Sequence, residues 1–328
     1  MSNKLAAGWS RRTVLMGAAS ALAAPSIAFA QAWPQRPVKF VVAFPPGGAA
    51  DIVARLVGDR VGQIWGQSVV VENRAGAGGN IAGSEVVRSA PDGYTFLITS
   101  QSVSVNKFLY KTMPFDAGTD LLPVSIMIAV PNVMVVPAAS PDKTVADFIA
   151  RAKANPGKLS FGSAGAGTSI HLAGELFKAR TGIDITHVPY RGAAPAMTDL
   201  IAGRIDVMFD TLTVSASQLR GGSIRALGIT SRERAASFPD VAPVGDTVKG
   251  YEVNTWFGLL APKGTPADII AKASKDIGEA LRDASVAKRL GELGARGVGS
   301  TPDAMGKAMQ EEAALWEPII KAAKIKVE

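Results

Sequence analysis

No cysteine occurs in the 328-residue chain, so no disulfide partner exists and stability rests on buried apolar surface. Only two histidines are present, His171 and His187, and without a thiol beside them a histidine-rich metal site is excluded. After residue 30 no apolar stretch approaches the roughly 20 residues needed to cross a bilayer. Dense basic runs of the kind that bind nucleic acid are absent as well. Nucleotide-binding glycine patterns are incomplete: Gly76-Ala77-Gly78 and Gly165-Ala166-Gly167 begin G-x-G, but Ile81 and Ile170 stand where the third glycine belongs. Gly157-Lys158 lacks the earlier glycine of a P-loop and is followed by Leu159. Gly162-Ser163-Ala164-Gly165 has the wrong spacing for the G-x-S-x-G elbow of a hydrolase.

What is present begins with a leader. Lys4, Arg11 and Arg12 precede the apolar run Val14 to Ala30, no acid interrupts it, and Ala28-Phe29-Ala30 fits a small-x-small cleavage site. Residues 1–30 therefore read as a signal peptide cleaved after Ala30, with a twin-arginine pattern in Ser10-Arg11-Arg12-Thr13-Val14-Leu15, where Val14 replaces the usual phenylalanine, and Sec as the other route. The chain carries 35 basic and 28 acidic residues; removing the leader's three cations leaves +4. That excess can draw in small anions. The full chain is 47% hydrophobic, enough to fill two cores.

Phe44-Pro45-Pro46-Gly47-Gly48-Ala49-Ala50-Asp51 follows the apolar run Val38 to Ala43 and precedes Ile52, Val53, Leu56, Val57, Val61 and Ile64 at helical spacing. Strand, tight turn and helix start follow from this pattern. Free N–H groups at the positive end of a helix make an anion site, or the stretch is an ordinary βα loop. Phe161 to Ser169 repeats the arrangement: a strand, the glycine-rich Gly162 to Gly167, and a helix carrying Leu172, Leu176 and Phe177. Thr168 or Ser169 either caps that helix or faces a ligand. Tyr190 closes an apolar wall or packs in the interior. Asp210, at the end of a strand, faces a ligand or caps the next helix. Ser100 and Asn106 are cleft candidates by position.

Alternation of strand and helix predicts an α/β fold with a largely parallel sheet. Val133 to Pro137 and Phe257 to Pro262 are two similar apolar strands with a complete βα series between them. They serve as two crossovers between a discontinuous first domain, residues 33–132 plus 257–328, and an inserted second domain, residues 133–256.

Trp33-Pro34, Phe44-Pro45-Pro46-Gly47-Gly48-x-x-Asp51, Val71-Glu72-Asn73-Arg74-x-Gly76-Ala77-x-Gly79 and Pro91-Asp92-Gly93-Tyr94-Thr95 resemble the Bug family of extracytoplasmic solute receptors. So do Gly162-Ser163-Ala164-Gly165-x-Gly167-Thr168 and Val188-Pro189-Tyr190-Arg191-Gly192. These are the receptors of tripartite tricarboxylate transporters. The resemblance spans nearly the whole chain after the leader. It implies a periplasmic-binding-protein fold, type II-like, with a ligand cleft between two α/β domains. It implies a monomer that binds a small carboxylate without catalysis, metal or cofactor and delivers it to a permease of one large and one small subunit. It places the carboxylate on backbone N–H groups at Gly47, Gly48, Ala49 and Ala50, with Asp51 ordering the turn, and at Ala164, Gly167, Thr168 and Ser169. Phe44, Ser100, Asn106, Tyr190 and Asp210 complete the expected ligand-binding set. The competing reading is an exported α/β hydrolase-like enzyme acting on a small carboxylate, for which Ser163 and His171 are the available pair.

Overall fold

The computed structural model describes residues 33–322 and Ile325; the leader and its cleavage site lie outside these residues. In chain order come strand β1 (Val38–Val42), helix α1 (Ala49–Trp65), β2 (Val69–Asn73), α2 (Asn80–Val87), β3 (Thr95–Ser100) and α3 (Ser102–Leu109). The short α4 (Ala117–Asp120) leads into the long β4 (Leu121–Pro137). Next are α5 (Val145–Ala154), β5 (Ser160–Ser163), α6 (Ser169–Thr181), β6 (Thr186–Pro189), α7 (Ala193–Ile201), β7 (Val207–Thr211), α8 (Leu212–Arg220) and β8 (Ile224–Ile229). The short α9 (Val244–Thr247), β9 (Asn254–Pro262), α10 (Ala267–Arg282), α11 (Ala284–Glu292), β10 (Arg296–Gly297) and α12 (Pro302–Ala322) follow.

The strands join in the order β2-β1-β3-β9-β4-β7-β5-β6, with β8 and β10 also paired to β4. The α/β expectation holds, but the sheet is mixed rather than largely parallel. β1 pairs in parallel with β2 and β3, and β5 with β6 and β7. Between these wings β9 runs antiparallel to both β3 and β4, and β4 antiparallel to β7 and β8. β4 is the shared element. Its residues up to Pro131 pair with β9, and from Asn132 onward its partners are β7 and β8.

A buried polar knot marks the change of partner. Asn132 donates to the Phe209 carbonyl at 2.7 Å and accepts from Thr255 Oγ1 at 2.6 Å. Thr230 Oγ1 reaches the carbonyls of Asn132 and Val253 at 2.8 and 2.6 Å. Polar groups this deep are retained only with partners, so the knot fixes where the two wings meet.

Each wing has its own apolar cluster. One includes Val41, Ala82, Leu97, Leu121 and Leu260; the other includes Met134, Phe148, Phe161, Phe177 and Phe209. Helix α12 serves both, placing Met305 and Met309 in the first cluster and Trp316 and Ile320 in the second.

Candidate functional site

At the carboxyl ends of the strands, the starts of several helices face one cavity. Its wall includes Phe44, Pro45, Gly48, Ala49, Ala50 and Ser100 from the first wing, with Phe257. The second wing supplies Ala164, Thr168, Ser169, Ile170, Gly192, Ala193 and Thr211. No charged side chain is in that wall. About 40 Å³ of it is open to water centres, which holds little more than a water molecule or two. A vestibule of about 500 Å³ shares Phe44, Pro45, Ala164, Thr168 and Gly192 and adds Gly76 to Gly79, Tyr110, Tyr190 and Arg191. Pro45 and Gly192 touch across the boundary: a Cβ on Gly192 would stand 2.8 Å from Pro45 Cγ, at a φ of +118°. Only glycine allows both that conformation and that approach.

The start of α1 has no side-chain cap. Gly48 is the capping residue at φ −81°, and its carbonyl accepts the Ile52 N–H at 3.0 Å. The N–H groups of Ala49, Ala50 and Asp51 therefore have no partner within the helix. The Gly47 N–H is committed elsewhere, donating to Asp51 Oδ2 at 3.0 Å. Asp51 is 5% exposed, and its Oδ1 also accepts from Arg55 Nε and Asn73 Nδ2, each at 3.0 Å. Burial alone would raise the Asp51 pKa, but the bonds from Arg55, the Gly47 N–H and Asn73 outweigh it and hold the carboxyl below its usual 3.8. Asn73 donates as well to the Phe44 carbonyl at 3.0 Å. The turn is thus fixed by a carboxylate that points away from the cavity.

At α6 the hydroxyl of Thr168 donates to the Gly165 carbonyl at 2.7 Å and accepts the His171 N–H at 3.4 Å. It is a helix cap, while the N–H groups of Ser169 and Ile170 remain free. Gly167 N–H donates to His171 Nδ1 at 3.1 Å. Two further helix starts point the same way. α7 has Gly192 as its capping residue and α8 has Thr211, both without a side-chain cap bond. Four positive helix ends without a cation among them suit one chemical task, the holding of an anion.

Of the expected residues, Phe44, Gly48, Ala49, Ala50, Ser100, Ala164, Thr168 and Ser169 share the cavity wall. Gly47, Asp51 and Gly167 lie behind it, shaping the two turns. Asn106 sits between the glycine loops, donating to the Gly78 carbonyl and to Asn80 Oδ1 at 3.0 and 2.8 Å. Tyr190 lines the vestibule. Its hydroxyl donates to Asp199 Oδ2 at 2.7 Å, and burial with the Asp199 carboxylate pushes its pKa up to about 12. Asp210 is fully buried one residue before the wall residue Thr211. Its Oδ2 accepts from Ser215 at 2.8 Å, and burial pushes its pKa up to about 7.

Pro45, Ile170, Gly192, Ala193, Thr211 and Phe257 were not among the expected residues. A signal existed for one group: Gly192-Ala193-Ala194-Pro195 is a glycine followed by a helix start with proline in its first turn. Phe44 and Phe257 meet edge to face at 6.3 Å across 213 residues of chain, which no local pattern announces.

The pair that an enzyme would need is not Ser163 with His171. Ser163 Oγ lies 2.7 Å from His187 Nε2 instead and accepts the Gly165 N–H at 3.1 Å. Ser163 is wholly buried, so this hydroxyl serves the loop. Among the described residues no three His, Asp or Glu side chains gather as a metal site requires.

The sequence profile described as "Tripartite tricarboxylate transporter family receptor" matches residues 53–325. Three solved structures are similar over nearly the whole chain. Rpa4515 of R. palustris, determined with adipate, is 38% identical with a TM-score of 0.88, covering 90% of this chain and 100% of its own. The periplasmic binding protein BugD is 33% identical at a TM-score of 0.86, over 90% of this chain and 100% of its own. MatC from Rhodopseudomonas palustris, with bound malate, is 31% identical at 0.83, over 88% and 100%.

Proposed function

Because the chain belongs to the tripartite tricarboxylate transporter receptor family, we propose that it is a periplasmic receptor that holds the carboxylate of a small organic acid in the cavity between its two wings. The fold is of the periplasmic-binding-protein kind, an α/β mixed sheet with flanking helices, and the family is one of transport receptors rather than enzymes. The carrying observation is the convergence of four uncapped or backbone-exposing helix starts on a wall without a charged side chain. In this reading the N–H groups of Ala49, Ala50 and Asp51 face those of Ser169, Ile170 and Ala193 across the ligand. Such donors, fixed before the ligand arrives, bind a carboxylate without reorganising and say nothing about what it is attached to.

The wings correspond to residues 33–132 plus 257–328 and residues 133–256. In this reading they part about the change of partner in β4, just past Pro131, to admit a ligand larger than the inner cavity, and meet again at Pro45 and Gly192. Export with cleavage after Ala30, a monomeric state, and delivery to a permease of one large and one small subunit belong to the same proposal.

A thermal-shift screen over di- and tricarboxylates, amino acids and aromatic acids, with adipate and malate in the first row, tests it. A true ligand at about 100 times its Kd adds roughly 2.7 kcal/mol of stability. Stabilisation by one or a few acids, saturable in calorimetry and without turnover, is expected. A library in which no carboxylate shifts the transition overturns the reading.

A further inference from the structure

The chain's two histidines lie behind the α6 loop, not in the cavity wall. Their rings stack at 4.0 Å between centroids, and Phe161 continues the stack 4.8 Å from His187. His171 is 4% exposed. Its Nδ1 accepts the Gly167 N–H, which requires a nitrogen that carries no proton. His187 reaches Gly165 through Ser163, whose oxygen bonds His187 Nε2 and accepts the Gly165 N–H. Gly165 and Gly167 stand at φ +124° and +81°. Each of the loop's two left-handed residues is therefore tied to one histidine. These ties use N–H groups that point away from the cavity and leave those at the start of α6 turned toward it.

We propose that His171 and His187 are positioning residues for ligand binding: as neutral rings they hold Gly167 and Gly165 so that the start of α6 faces the cavity, and protonation of His171 releases the loop. This rests on the carboxylate reading of the cavity. The charged groups facing the pair are Glu175, whose Oε1 is 4.0 Å from His171 Nε2, and Lys178, whose Nζ is 3.1 Å from the same carboxylate. Burial first, then His187 and Lys178, lower His171 to about 3; burial and Lys178 lower His187 to about 4. A protonated His171 would point an N–H at the Gly167 N–H, and one of the two must move.

The test uses His171→Asn, whose Oδ1 replaces the Nδ1 acceptor without titrating, and His171→Leu, which has no acceptor. The first readout needs no ligand: exchange of the Gly165 and Gly167 amide protons, with circular dichroism confirming the fold at each pH. Protection of Gly167 is expected in the parent and in His171→Asn near neutral pH, and about tenfold less in His171→Leu. Below about pH 3 the parent loses that protection and His171→Asn keeps it. The second readout is titration with adipate at neutral pH, where His171→Leu is expected to bind about tenfold more weakly and His171→Asn nearly as well as the parent. Equal protection of Gly167 in folded parent and His171→Leu overturns the proposal, as does unchanged adipate affinity in His171→Leu. If His171→Leu does not fold, the parent and His171→Asn decide: matching loss of Gly167 protection in acid overturns it. Absence of adipate binding in all three proteins, with the protection pattern as expected, counts against adipate as the ligand and upholds the role of the histidines in the loop.

Discussion

The turn before α1 and the loop before α6 face each other across the cavity and leave the same kind of group exposed, yet they are braced differently. Behind α1 stands an ionised carboxylate, Asp51, with Arg55, Asn73 and the Gly47 N–H as partners. Behind α6 stand two neutral imidazoles and a hydroxyl. Solvent explains the difference. The Arg55 side chain is 54% exposed, so its charge stays hydrated while it pairs with Asp51. His171 and Ser163 are enclosed by Phe161 and the β5–β6 pair, where an ion would be costly. One kind of glycine-rich helix start thus occurs twice, braced by a carboxylate where its cationic partner reaches water and by neutral groups where none does.

The largest effect expected from breaking this pairing comes at Gly48. A Cβ there would meet only the Pro45 carbonyl at 3.6 Å, and the φ of −81° suits any residue. Gly48→Ala should therefore fold and bind nearly as the parent does. Gly48→Asp supplies a tethered carboxylate at a capping position, where aspartate gains a few tenths of a kcal/mol over glycine. That side chain takes the free N–H groups and repels a second negative charge. Losing two charge-assisted bonds of roughly 1.5–3 kcal/mol each raises Kd by on the order of a hundredfold or more. Calorimetric titration together with a melting curve checks this: weaker binding in an equally or more stable protein is the expected pair of results. A folded Gly48→Asp variant with the parent's affinity would mean the carboxylate is not at this turn.

Acid should separate the two braces at intermediate size. His171 and His187, lowered to about 3 and about 4, bind no proton in the folded state at pH values where the unfolded chain, titrating near 6.5, already does. Their contribution is therefore lost as pH falls from about 6.5, by at most about 1.4 kcal/mol per pH unit for each ring. Asp51, held below 3.8, has the same sign, but its loss begins only under that value. Asp210 has the opposite sign. Raised to about 7, it keeps in the folded state a proton that the unfolded chain releases, so its contribution is present below about 3.8 and lost as pH rises through 7. Between these limits Asp210 masks the histidines. Urea unfolding at about pH 7, 5.5 and 4.5 should show a steeper acid loss in Asp210→Asn than in the parent, and a flatter one in His171→Asn. Parallel curves for the three proteins would dissociate the imidazoles from the brace.

Most of this architecture was legible because it rests on local pattern. The α5 helix from Val145 to Ala154, the turn at Gly47-Gly48 and the loop at Gly165 to Thr168 were read at their observed places, since capping and glycine chemistry act within a few residues. The first half of β4 was missed. Pro123 and Pro131 argue against a strand, and the structure seats both in β4, with breaks in register after Pro123 and after Ile126 and the change of partner just past Pro131. The central antiparallel strands were missed for a related reason, since strand direction depends on which segments meet. In the site, glycine-rich helix starts could be found from sequence. Phe257, Thr211 and the pairing of Ser163 with His187 could not, because distant segments place them side by side.

The smallest expected effect distinguishes a cap from a contact, at Thr168. Its hydroxyl has a partner on each side, the Gly165 carbonyl in the loop and the His171 N–H in the first turn of α6. Thr168→Ala removes a capping oxygen, which typically costs about 1 kcal/mol of stability. The N–H groups of Ser169 and Ile170 remain, so affinity for the carboxylate should fall by about fivefold or less, through a looser loop rather than a lost ligand bond. Thr168→Ser keeps the oxygen and should restore both quantities. Melting curves and calorimetry on the two variants therefore move together if the hydroxyl works only as a cap. If Thr168→Ala binds a hundredfold more weakly at unchanged stability, the hydroxyl touches the ligand directly, and the two loops differ not only in what braces them but in what they offer the anion.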